Sequence, residues 1–405
     1  MMPRPLLFLL ASLVACAEGQ RAPESAALAA LPSPAASPSG EPFLASDANG
    51  GVHLTWLEKS GDSTYALRYA TLDGDTWSAT RTIAERRDFF VNWADFPSVT
   101  VTRNGTLVAH WLQRRAGGKY SYDVMITRSA DSGRTWSEGQ VLHRDGVAAE
   151  HGFVAVWPTD DGGVEAAWLD GRGTTMSDES LRAMHVASTS IGPDGSLGEE
   201  QLLDTRNCDC CQVAATLTPR GPVVAYRDRT VDEVRDIAVV RRDNGRWTEP
   251  AIVHHDNWQI AACPVNGPAL ASRGDTVVIA WFTGAQDTAR VRVAFSTDAG
   301  ATFGAPQRID GGNPAGRVDV EMLDDGSAAV SWLERTDSTS AEVRLRRVRR
   351  DGTAGEAVVL AKAKGARASG FPRIARRAGD LIAAWTHAGD SAQVRVARYR
   401  LEALP

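Results

Sequence analysis

Beyond residue 15, no stretch of this chain is apolar enough to span a membrane as a helix. Basic residues are not in excess either. Lys plus Arg number 44 against 50 Asp plus Glu, a formal net charge of −6 that argues against general nucleic-acid binding. Long runs with the 3.6-residue apolar period of an amphipathic helix are missing, which argues against a helical architecture. Cysteine is scarce: five in 405 residues, four of them between Asn207 and Pro268. The remainder, 43% hydrophobic and 23% charged, has the composition of a soluble globular protein.

The first residues read as a targeting segment. Arg4 precedes an apolar run from Leu6 to Ala15, too short to cross a bilayer but suited to a signal-peptide core. Leu13-Val14-Ala15-Cys16 resembles a bacterial lipobox, which implies that Cys16 becomes a lipidated mature N-terminus. Ala17, in place of an aspartate, implies the outer membrane within the cell envelope; an ordinary signal peptide is the alternative. Residues 16–41 are rich in Ala, Pro and Ser, a composition that cannot bury a core and predicts a tether. A single domain is expected over residues 42–405.

That domain is repetitive. Short apolar strands carry an aromatic at Trp56, Trp111, Trp168, Tyr226, Trp281, Trp332 and Trp385, about 50 to 60 residues apart, a period typical of propellers and arrays. Each unit reads strand, Gly/Asp turn, strand, polar loop, strand, turn, strand. Four-stranded units arranged radially make an all-β propeller. Seven aromatic strands predict seven four-stranded blades, the last lacking an obvious outer strand.

Two turns, Ser129-Ala130-Asp131-Ser132-Gly133-Arg134-Thr135-Trp136 and Ser296-Thr297-Asp298-Ala299-Gly300-Ala301-Thr302-Phe303, resemble the Asp box of the BNR-repeat propellers, the superfamily that includes sialidases. The resemblance covers roughly residues 42 to 400. It implies a sialidase-like propeller, six-bladed in sialidases, with the Asp boxes on the face opposite the ligand site. A sialidase-type exo-glycosidase is the enzyme it would imply. However, no Arg-Ile-Pro motif precedes the first blades, and the Tyr/Glu nucleophilic pair of sialidases has no evident match. Tyr120 and Tyr122 are in a suitable loop without an assigned partner, and Glu150, Asp95 and Asp170 are possible acids.

Repeat register places the remaining chemistry on one face, around blade four. Cys208, Cys210 and Cys211 precede that blade and Cys263 follows it. An even number of cysteines in an exported chain favours disulfides, with a bridge from the 208–211 loop to Cys263 preferred. The rival is a copper or zinc site built from these cysteines with His254 or His255. Between the two loops lie Arg227, Asp228, Arg229, Arg235 and Asp236, with Arg317 and Arg373 on the same face. As ligand-binding residues, these arginines would hold a carboxylate or phosphate bidentately. Asp228, Asp236 and Arg227 are the catalytic candidates, and Asn266 and Trp258 would complete the pocket. Phe89, Phe90, Trp93 and Phe96 offer further stacking surfaces. The sequence therefore predicts a lipid-anchored propeller whose face binds a small anionic ligand, a glycan or a metal, with glycoside hydrolysis as the alternative.

Overall fold

The computed structural model describes residues 27–405; Cys16, the expected signal peptide and the start of the expected tether lie outside the described residues. Seven antiparallel sheets follow one another along the chain as seven blades. The inner strands are Ser39–Ser46, Ser98–Val101, His151–Pro158, Ala214–Thr218, Ala269–Arg273, Pro314–Met322 and Arg373–Arg377. In the first six blades the chain meanders outward through a second and a third strand to an outer one, and in the seventh it ends on the third.

Second strands explain the repeat. Val52–Lys59, for example, is buried at its first six positions because neighbouring blades cover both faces. Its polar members His53 and Thr55 are buried along with the apolar ones. The recurring aromatics Trp56, Trp168, Tyr226, Trp281 and Trp332 are almost wholly buried, so each polar tip needs a partner. Three find it two residues along the same strand face: Trp56 Nε1 donates to Glu58, Trp168 to Asp170 and Trp332 to Glu334. Trp281 donates to Asp256, and the Tyr226 hydroxyl to Asp204. Asp170, a possible acid from sequence, is thus a buried partner of Trp168 and Arg172.

Closure of the ring corrects the expected tether. Leu28–Leu31 pairs antiparallel with Val396–Tyr399 and forms the missing outer strand of blade seven. Strand structure is therefore present ahead of Pro42, at Leu28–Leu31 and from Ser39. Strand pairing uses main-chain groups, so an Ala-rich segment completes a sheet edge without bringing a core of its own. Ser33 Oγ adds a bond to the Val394 carbonyl, 2.6 Å away.

The two turns that resemble Asp boxes share one internal geometry. In one, Asp131 accepts from Thr135 N and Oγ1 at 2.9 and 2.7 Å, while Ser129 Oγ accepts from Gly133 N at 2.8 Å. In the other, Asp298, Thr302, Ser296 and Gly300 repeat those distances. Gly133 and Gly300 have φ of 84° and 81°, a conformation that glycine adopts without strain.

Candidate functional site

Loops entering successive blades meet on one face, as the repeat register predicts. They enclose a 420 Å³ cavity lined by Asn92, Trp93, Tyr120, Glu150, Phe153, Asp209, Cys210, Cys263, Val265 and Arg367. That volume is within the usual range for a small-ligand site. Contributions come from the loops before blades two, three, four, five and seven and, through Tyr120, from a loop within blade two, so the site exists only when the ring is closed.

One wall of the cavity is Glu150. Burial pushes its carboxyl up to about 7, the Asp209 charge adds to this, and a hydrogen bond from Tyr122 opposes it. The Tyr122 hydroxyl donates to Glu150 Oε1 at 2.7 Å and stands 3.4 Å from Asp95 Oδ2. Tyr122 itself is fully buried and stacked on Phe90, with ring centroids 3.9 Å apart, which makes it a positioning group rather than a nucleophile. Asp95 is buried too; desolvation drives its carboxyl well above the ordinary range, and it accepts from Phe153 N at 2.8 Å. Sequence reasoning noted Tyr122, Glu150 and Asp95 separately but could not join them, since they come from a strand start and two separate loops.

The four cysteines converge at the next stretch of wall. Cys208 Sγ lies 3.7 Å from Cys210 Sγ and 3.6 Å from Cys211 Sγ. Cys210 also groups with Cys263 and Asp209. All four thiols are free, so the preferred bridge to Cys263 is not formed; a disulfide needs sulphurs about 2.05 Å apart. Hydrogen bonds from the Cys210 and Cys211 thiols, followed by the Arg235 and Arg227 charges, hold Cys208 well below the usual thiol range. Cys211 is raised by burial and Cys210 by its contact with Cys208. Neither His254 nor His255 joins this cluster. His254 is at the end of an outer strand, 3.3 Å from Arg292 and 3.8 Å from Asp256, and His255 is exposed.

Most of the predicted anion-binding residues have other partners. Arg227 is 1% exposed and donates to the carbonyls of Asn266, Arg235 and Phe282, its guanidinium stacked 4.9 Å over Trp258. Trp258 is buried and fills the junction with blade five instead of offering a platform. Arg229 pairs with Glu233, and Arg235 with Glu233 and Cys208. Asp236 accepts from Asn257 N and Trp258 N, fixing that loop. Asp228 is raised to about 6 by burial, yet lies outside the cavity wall. Asn266 Oδ1 accepts from Arg317 N, and Arg317 donates to the carbonyls of Ala366 and Gly370 beneath Trp93. Arg373 faces the central channel beside Asp319, over Phe43. The physical reason is shared: long interblade loops leave buried carbonyls, and arginine's fork of donors satisfies several at once. On the cavity wall the guanidinium is Arg367, which the sequence did not single out.

Fold and face together define a seven-bladed all-β propeller with a loop-built pocket. No protein family and no curated protein matches the sequence. Among solved structures, polysaccharide lyase Uly1 is similar at a TM-score of 0.52 and 10% identity, covering 89% of this chain and 90% of that one. The K499G mutant of NanB sialidase from Streptococcus pneumoniae is similar at 0.50 and 10% identity, over 88% of this chain and 84% of that one. For Hadza microbial sialidase Hz136 the values are 0.45 and 17%, over 73% of this chain and 63% of the other, so this chain spans less than two thirds of it. The first two likenesses are of fold.

Proposed function

We propose that this chain is a carbohydrate-active propeller of the cell envelope whose face cavity takes an acidic sugar. The observation that carries the reading is Glu150, a carboxyl held at about 7 on the wall of a cavity that also presents Trp93, Tyr120 and Arg367. A group titrating near neutrality can both give and take a proton at working pH. Aromatic faces stack on sugar rings, and a guanidinium pairs with a carboxylate. Asp209 supplies a second carboxylate in the same cavity, in a more exposed setting. A fold shared with a polysaccharide lyase and a sialidase supports a carbohydrate ligand. Envelope attachment rests on the lipobox-like run ending at Cys16.

The test is a panel of fluorogenic sialosides and other acidic glycosides, together with uronate polysaccharides followed by ultraviolet absorbance of unsaturated products. Turnover of an acidic substrate is expected, falling by about 100-fold or more in Glu150→Gln while binding persists. Neither binding nor turnover across the panel would sink the reading. Cys16→Ser should move the protein from the membrane fraction to the soluble one.

A further inference from the structure

The thiol cluster has no role in the reading above. Cys208 and Cys211 are each 1% exposed, whereas Cys210 and Cys263 reach the cavity. Their loops are locked together. Gln212 donates from Nε2 to the Ala94 carbonyl at 2.6 Å and accepts from Gly267 N at 2.9 Å. A Cβ on Gly267 would meet the Gln212 carbonyl oxygen at 2.2 Å, so only glycine permits this approach. The thiols are therefore held in place by the fold.

We propose that Cys208, Cys210 and Cys211 bind one copper(I) ion as a three-sulphur thiolate site, with Cys263 at its mouth. Sulphurs that share an ion at about 2.3 Å are roughly 3.8 to 4.0 Å apart, close to the 3.6 and 3.7 Å separations here. Outer groups that would steady bound thiolates are in place. Arg235 Nη1 is 3.1 Å from Cys208 Sγ, and Asn266 N donates to Cys211 Sγ at 3.4 Å. Three thiolates and one copper(I) leave two negative charges, opposed by the nearby Arg235 and Arg227. An all-sulphur set selects a soft ion. Structural zinc takes four ligands in a tetrahedron, but Cys263 groups with Cys210 and Asp209 rather than with Cys208 and Cys211. That separation favours copper(I) over zinc.

The full chain, reduced and kept anaerobic, would be titrated with copper(I) against bicinchoninate, with X-ray absorption on the loaded protein. One equivalent bound by three sulphurs is expected. Copper should shield the half-buried Cys210 from iodoacetamide and leave the exposed Cys263 reactive. Cys210→Ser, a half-buried position, should lower retention about 100-fold or more, with circular dichroism checking the fold. Cys263→Ser should keep the one-to-one stoichiometry. No retention by the wild-type chain, disulfides among these cysteines in protein isolated without reductant, or preference for zinc on all four sulphurs would each overturn the proposal. Glycoside turnover is not read, so this result and the carbohydrate reading stand or fall separately.

Discussion

Tyr122 begins the third strand of blade two and Glu150 leads into blade three, yet the phenol donates to the carboxylate across 2.7 Å. Main-chain bonds fix both: Tyr122 N donates to the Ala149 carbonyl, and Gly171 N to that of Glu150. The acid on the cavity wall is thus positioned by two blades at once.

Glu150 should make stability depend on pH. Its folded value, about 7, exceeds the unfolded 4.5, so the fold favours the protonated form. The associated stabilisation is fully present below about pH 4.5 and is lost as pH rises through about 7. Glu150→Gln should remove a loss of about 2 kcal/mol over that interval, after allowance for solvent screening. Melting both proteins at pH 5 and pH 8 checks this; equal shifts at the two values would contradict it. Tyr122→Phe deletes a bond that holds the Glu150 value down, so the pH profile of any turnover should move upward.

Arg227 should matter to folding rather than to ligand affinity. Its removal strands the carbonyls of Asn266, Arg235 and Phe282 and unstacks Trp258. Arg227→Ala is expected to cost about 3 to 5 kcal/mol in denaturant unfolding. Lysine should not restore the loss, because a single ammonium cannot reproduce the planar fork. A stable variant with weakened ligand binding would reverse the assignment.

Ring closure can be tested at its ends. A chain beginning at Ala27 should melt as the longer one does, whereas one beginning at Pro42 should lose cooperative unfolding. The second lacks both the closing strand and part of the first inner strand. Leu31→Ala alone is expected to cost about 2 kcal/mol as a core truncation.

Asp298 should set part of the acid limit. Burial would raise it, but bonds from the Thr302 hydroxyl and amide and from Ser296 outweigh that and bring it to about 2. The stability it contributes is present above about pH 4 and is lost as pH falls through about 2. Asp298→Asn should therefore shift acid unfolding to higher pH without altering the opposite face, as followed by tryptophan fluorescence.

How far the sequence foretells this molecule depends on what each residue contacts. Trp56, Trp168, Trp281 and Trp332 announce the blades because a large ring between two sheets must recur at a fixed interval. Loop convergence around Cys210 and Cys263 follows from the same register. Arg227 and Arg317 misled because their acceptors are main-chain carbonyls, which carry no residue signature. The pairing of Tyr122 with Glu150 was hidden for a related reason, since it depends on how a strand start in blade two meets the loop entering blade three. Leu28–Leu31 was concealed by composition: a closing strand needs backbone partners more than apolar ones.

Leu28 pairs with Tyr399, and nearly the whole chain lies between them. The latch cannot engage until the last strand has been synthesised, so the ring cannot close on a partly made chain. Joining such distant ends carries a loop-closure entropy that pairing between neighbouring strands does not. It also places Leu28–Leu31 at the rim of blade seven, so a pull on the chain from its N-terminal side would load the strand that keeps the ring shut.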